Sequence, residues 1–177
     1  GTKKTTATAT AATTATATTS EEEAQSKHYT RLVLVDLLLS RNNGAQALAF
    51  IDQMIASRGI PHQRVTSFDY PYLLQRRAEA LAMTENKNSS AIQQTYEQAI
   101  AIAIEQVGAN GYKLPLIYNS YANYCEQVLG DVNKATELRN KMKSVLAHNN
   151  VTLDNVKNAD LFSFVLIGLS LPRAYPL

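Results

Sequence analysis

Apolar residues recur along this chain at spacings of three and four, the period of an α-helix that buries one face. The pattern is cleanest from Tyr118 to Asn150, where it splits at Gly130-Asp131 into two halves. In the first half Tyr118, Tyr121, Ala122, Cys125, Val128 and Leu129 fall on one face, with Pro115 in the opening turn. In the second, Asp131 stands where an N-cap is needed, and Val132, Ala135, Leu138, Met142 and Val145 form the stripe. Two such helices joined by a tight turn make an antiparallel hairpin.

The same reading yields two hairpins upstream. Glu21, Glu22 and Glu23 suit the positive end of a helix that runs through Tyr29, Leu32, Val33 and Leu37 to about Ser40. Asn42-Asn43-Gly44 reads as the turn, and the return helix carries Leu48, Ile51, Met54 and Ile55 before stopping near Gly59. The next helix has Ser67 or Asp69 as its cap, tolerates Pro71 in its first turn and continues through Leu74, Ala78 and Leu81 to about Met83. Ser90 with Gln93 fits a capping box for its partner, whose face is Ile92, Tyr96, Ala99, Ala103 and Val107. Gly108 to Gly111 breaks the pattern again. A last helix, about Leu153 to Leu169, is apolar on most sides and is expected to close the open end of the stack; Pro172 and Pro176 end regular structure.

The expected fold class is therefore all-α, a short α-solenoid of about three helical hairpins plus a C-terminal closing helix. Pro71 and Pro115 stand 44 residues apart and Gly44 and Gly130 stand 86 apart, a loose repeat with insertions. Three regions follow: a Thr/Ala tail at 1–20, the helical domain at 21–171, and a short C-terminal tail at 172–177.

Composition adds bounds. The 177 residues suffice for one domain that buries roughly 70% of its extended surface. Residues Thr5 to Thr19 contain only Thr and Ala, with no large apolar group to offset the entropy of ordering, so the tail is expected to be held by another chain's surface. The 17 basic and 15 acidic side chains give a formal charge of +2, too little to announce nucleic acid or a membrane. No run reaches the roughly 18 to 20 apolar residues that span a bilayer. The single cysteine, Cys125, reads as a buried thiol in a reducing compartment. A start at Gly1 rather than Met fits either a residue left by cloning or, as the favoured reading, a mature chain whose targeting segment has been removed.

Candidate chemistry is sparse. His28, His62 and His148 lie in separate segments without a second ligand at metal spacing, so no metal or cofactor is expected. Gly108-Ala109-Asn110-Gly111 lacks the Lys and the preceding strand of a phosphate-binding loop. No nucleophile motif stands out, and a non-catalytic role is expected. Arg76-Arg77 and the group Lys134, Arg139, Lys141 and Lys143 form candidate basic stripes. Tyr70, Tyr72, Tyr118, Tyr121 and Tyr124 gather at the starts of first helices, where most belong to the core and one or two would serve as interface anchors.

The segment YNSYANYCEQVLGDVNKATELRNKMKSVL resembles the pentatricopeptide repeat, in the order of its Tyr-Asn-Ser start, Gly-Asp turn, Ala-x-x-Leu pair and Met-Lys. GAQALAFIDQMIASRGIP, from Gly44 to Pro61, resembles the second helix of that repeat, and the hairpin holding Tyr96 and Ala99 is similar to a generic tetratricopeptide-like unit. The resemblance implies a binding protein, in many members for single-stranded RNA read near the start of the first helix and at the repeat's end. The matching positions are Asn119, Asn149 and Thr30. Here the unit spacing exceeds the roughly 35 residues of the family, and three hairpins with little charge supply few contacts to RNA. The chain is also similar, in overall description, to the lineage-specific accessory subunits on the outside of the mitochondrial F1-ATPase head in euglenozoan protists. That likeness implies a mitochondrial-matrix location, protein partners such as the F1-ATPase alpha subunit, and no part in ATP chemistry. The candidate partner-contact residues are Thr30, Tyr70, Tyr72, Arg76, Arg77, Tyr118 and Asn119.

Overall fold

A computed structural model of the chain describes residues 30–57, 70–84 and 88–157. All regular structure among these residues is helical. Helix α1 covers residues 30–40, α2 Gly44–Ala56, α3 Tyr70–Met83 and α4 Ser89–Val107. Helix α5 is Leu114–Tyr124, continued by a π-helical turn at Cys125–Leu129; α6 is Val132–His148, and residues 153–157 form α7. The Thr/Ala tail, the caps at Ser67 and Asp69, and all of the expected closing helix beyond residue 157 lie outside the described residues.

Each helix packs on the next in sequence from α2 to α6, and α3 also touches α5. Helix α1 joins α2 and α3 through one apolar cluster, in which Leu32, Val35 and Leu39 meet Ala47, Ile51, Met54 and Leu73. A second cluster unites α3 to α6 around Leu74, Tyr96, Ile117, Tyr121 and Leu138. At its centre the rings of Tyr96 and Tyr121 stack with centroids 4.8 Å apart, and Tyr124 lies at 5.9 Å from Tyr96. Such ring pairs add about 0.5–1.5 kcal/mol to the area they bury.

The helix ends follow local chemistry. Asp131 caps α6 as expected, its Oδ1 accepting from Lys134 N–H at 2.9 Å. Helix α4 starts earlier than the capping-box reading: Asn88, not Ser90, is the cap, its Oδ1 accepting from Ala91 N–H at 3.2 Å. Asn caps as well as Ser, so the upstream residue takes the position. Gly130 adopts φ 70, the left-handed residue that ends the α5 hairpin arm, with Asp131 N–H donating to Cys125 O at 2.9 Å. After α1 that place belongs to Asn42, at φ 56, with Asn42 N–H donating to Leu39 O and Asn43 N–H to Leu38 O.

Gly44 therefore is not a turn residue. It is buried as the first residue of α2, and a Cβ there would stand 2.5 Å from Met83 Cβ and 2.8 Å from Ala80 O. Its glycine lets α2 meet α3 at close range, so the spacing between Gly44 and Gly130 relates two unlike positions. Five of the apolar positions read along the helices also end up exposed: Val33 and Leu37 of α1, Val107, Val128 and Val132. For Val128 the cause is the π turn, whose extra residue rotates the end of α5 away from the stripe that Tyr118, Tyr121, Ala122 and Cys125 begin.

Candidate functional site

Helix α3 lies at the middle of the packing, and a chain of polar side chains radiates from it. The Tyr72 hydroxyl donates to Asp36 Oδ2 at 2.6 Å, linking α3 to α1. Arg76 Nε stands 2.8 Å from Asp36 Oδ1, an ion-pair contact without the alignment of a hydrogen bond. The Arg76 guanidinium also lies over the Tyr72 ring at 4.7 Å and donates through Nη1 to Glu79 Oε2 at 2.7 Å. Glu79 Oε1 accepts from Gln75 Nε2 at 3.0 Å and from the Ser120 hydroxyl of α5 at 2.6 Å. Ser120 spends its one hydrogen on Glu79, so the Tyr96 hydroxyl of α4, 2.9 Å away, donates to Ser120. Four helices are thus joined by one relay of charge-assisted contacts.

Burial pushes the Tyr72 hydroxyl above its ordinary value; Arg76 opposes this and Asp36 adds to it. Burial also raises Tyr96, helped by Glu79, and Tyr121, helped by Glu97. For Arg76 burial pulls downward, but Glu79, Tyr72 and Asp36 more than reverse it, so the guanidinium stays charged. Burial, with Asp131 nearby, pushes the Cys125 thiol up and keeps it a poor nucleophile.

The seven candidate contact residues part company in this arrangement. Tyr72 and Tyr118 are buried, and Arg76 belongs to the relay. Arg77 Nε contacts Asp52 Oδ1 of α2 at 2.7 Å, so the expected Arg76-Arg77 stripe is two inter-helix ion pairs. Tyr70 and Asn119 are half-buried, and Thr30 is exposed on α1. Asn149, the other position the repeat resemblance marks, donates from Nδ2 to Val145 O and to Asn110 O, both at 2.9 Å. It ties the end of α6 to the loop between α4 and α5. On the outer face Arg139 donates through Nη1 and Nη2 to the Glu126 carboxylate and through Nη2 to Asn123 Oδ1 at 3.4 Å, and Glu137 pairs with Lys141 and Lys134.

Sequence reading missed Asp36 and Glu79. The signals existed: Asp36 is the lone charge in the apolar run Leu32 to Leu39, and Glu79 sits three residues after Arg76, at pairing distance on a helix.

Two surfaces complete the inventory. Helix α1 turns Val33, Leu34 and Leu37 outward at 53%, 40% and 43% exposure. Where α3 begins, α4 ends and α5 begins, a groove encloses about 60 Å³, lined by Pro71, Gln75, Ala103, Val107, Tyr112 and Ile117 among others. Gln75 is buried beside it and its Oε1 carries no hydrogen bond. Among the described residues no three His, Cys, Asp or Glu side chains gather as a metal site would require, and no helix is long and apolar enough to cross a membrane.

No family model, curated protein or solved structure matches this chain.

Proposed function

We propose that the protein is a non-catalytic, protein-binding subunit of a larger assembly, built as a short α-solenoid of three hairpins, α1–α2, α3–α4 and α5–α6, with a C-terminal closing helix. The observation that supports this reading is the outward stripe of α1, Val33, Leu34 and Leu37. From Leu32 to Leu39 the helix is apolar on every side but for Asp36, and a helix of that kind belongs in an interior. Its inner side is already packed on α2 and α3. The outer side lies where a preceding helix of the stack would sit, so the fitting occupant is an apolar helix face of a partner subunit.

The partner named by the resemblance is the outer surface of the mitochondrial F1-ATPase head, with the chain in the matrix and apart from ATP chemistry. Reading of RNA is less favoured, because Asn149 spends its amide on two backbone carbonyls. Affinity purification from native extract followed by mass spectrometry tests the proposal. Recovery with ATPase subunits is the expected result; recovery with ribosomal proteins reassigns the assembly, and recovery as a free monomer overturns the subunit reading.

A further inference from the structure

The groove where α3, α4 and α5 meet is walled by Pro71 of α3, Ala103 and Val107 of α4, and Leu116 and Ile117 of α5. Gln75 of α3, 4% exposed, lines it too. Its amide has one orientation open to it. Nε2 donates to Glu79 Oε1 at 3.0 Å, and that oxygen also accepts from Ser120. A carboxylate has no hydrogen to give, so turning the amide over would set oxygen against oxygen. Oε1 is therefore held as an acceptor, buried and without a hydrogen bond. Tyr72, the other buried polar residue on the groove, spends its hydroxyl on Asp36. A buried acceptor without a donor is costly, and native folds supply one from protein, water or ligand.

Volume and chemistry together narrow what fits. The enclosed space is about 60 Å³, less than half of the roughly 150 Å³ cavity that accepts benzene. It takes the polar end and first carbons of an aliphatic molecule rather than a ring. An ionised carboxylate carries no hydrogen for Oε1. An ammonium would lose its hydration against apolar walls. A buried water needs about two to four polar partners, and the side chains of the five wall residues supply none. A neutral hydroxyl or primary amide on a short aliphatic body meets both demands: its hydrogen serves Gln75 and its carbons cover the walls.

We propose that this groove is a binding site for a neutral, short-chain aliphatic ligand that carries a hydroxyl or primary amide and donates its hydrogen to Gln75 Oε1. Through Gln75 and Glu79 the bound molecule extends the relay that joins α3, α4 and α5 by way of Ser120 and Tyr96. The site lies on other helices than the α1 stripe and does not rest on a protein partner.

Titration of the isotope-labelled full chain with isopropanol and, separately, with acetone tests it. The two molecules are nearly the same size, and acetone has no hydrogen to donate. NMR follows the side-chain amide of Gln75 and the backbone amides of Ala103, Val107 and Ile117, with the amides of α2 as reference. The expected result is a saturable shift with isopropanol at the groove, absent in α2, and about fivefold weaker binding of acetone, the worth of one net hydrogen bond. Gln75→Met keeps the length of the side chain and removes the amide; in that variant the two molecules are expected to bind equally. Equal binding of both by the unaltered chain shows an apolar hollow only. Shifts that never saturate show that water alone serves Gln75. A preference for isopropanol that survives Gln75→Met places the acceptor elsewhere. Each of these three outcomes overturns the proposal, and the first two are read without the variant.

Discussion

Ser120 of α5 donates its hydroxyl to Glu79 of α3 across 2.6 Å, and in doing so leaves its own oxygen to accept from Tyr96 of α4. One small side chain thereby sets the mutual register of three helices. Ser120→Ala removes a donor from a carboxylate and an acceptor from a buried hydroxyl, with an expected loss of about 1–3 kcal/mol in urea unfolding. Tyr96→Phe loses the second bond alone. A double-mutant cycle between the two is expected to show coupling of at least about 0.5 kcal/mol, and strict additivity would mean that the relay is only a geometric coincidence.

Glycine at position 44 is required by contact and glycine at position 130 by conformation. Gly44→Ala gains about 1 kcal/mol of helix propensity. It also drives a methyl group into Met83 Cβ and Ala80 O, and overpacking of that kind costs about 1–3 kcal/mol. The expected result is a net loss of stability. At Gly130 nothing obstructs a Cβ, so Gly130→Asn, which tolerates the left-handed region, is expected to cost less than Gly130→Ala. Thermal midpoints of the three variants measured side by side give the order.

Alkaline pH should unfold this protein through its tyrosines. The hydroxyls of Tyr72, Tyr96 and Tyr121 are all raised above the ordinary value of 10.0 in the folded state. Below that value both states are protonated and stability is flat. Above it the unfolded chain loses protons that the folded chain keeps, so stability falls as pH rises, by up to about 1.4 kcal/mol per pH unit for each such group. Tyr72→Phe, Tyr96→Phe and Tyr121→Phe are each expected to flatten the fall between pH 10 and 11, read from urea midpoints; an unchanged slope in all three would refute this account.

The α1 stripe separates stability from binding. Leu37→Glu alters a side chain that is 43% exposed and makes no polar contact, so unfolding of the isolated protein is expected to shift by no more than about 0.5 kcal/mol. Recovery of partner subunits in the native purification should fall sharply. Capture at the level of the unaltered chain would remove α1 from the interface.

The helices were legible because apolar spacing reports burial directly: Ile92, Tyr96, Ala99 and Ala103 were placed on one face and are all buried. Asp131 was legible as a cap because the turn and cap are adjacent in sequence. Contacts between helices were not. Arg76 and Asp36 are 40 residues apart, and Arg77 and Asp52 25 apart, so no local period brings them together and both arginines read as a basic stripe open to a partner. The π turn was hidden for a different reason, since a one-residue insertion in a helix leaves the composition of the segment unchanged. Gly44 was misread because a glycine needed for close approach and one needed for a left-handed turn look the same in a sequence.

The bond from Asn149 to Asn110 bears on how this chain tolerates change. The loop between α4 and α5 is exposed for most of its length, the sort of place where insertions, tags and domain fusions are usually accepted. Here its backbone serves as the anchor for a helix end 39 residues later, so lengthening it would release the C-terminal part of the chain as well. Engineering and natural variation in length should therefore avoid residues 108–113, however open they look to solvent.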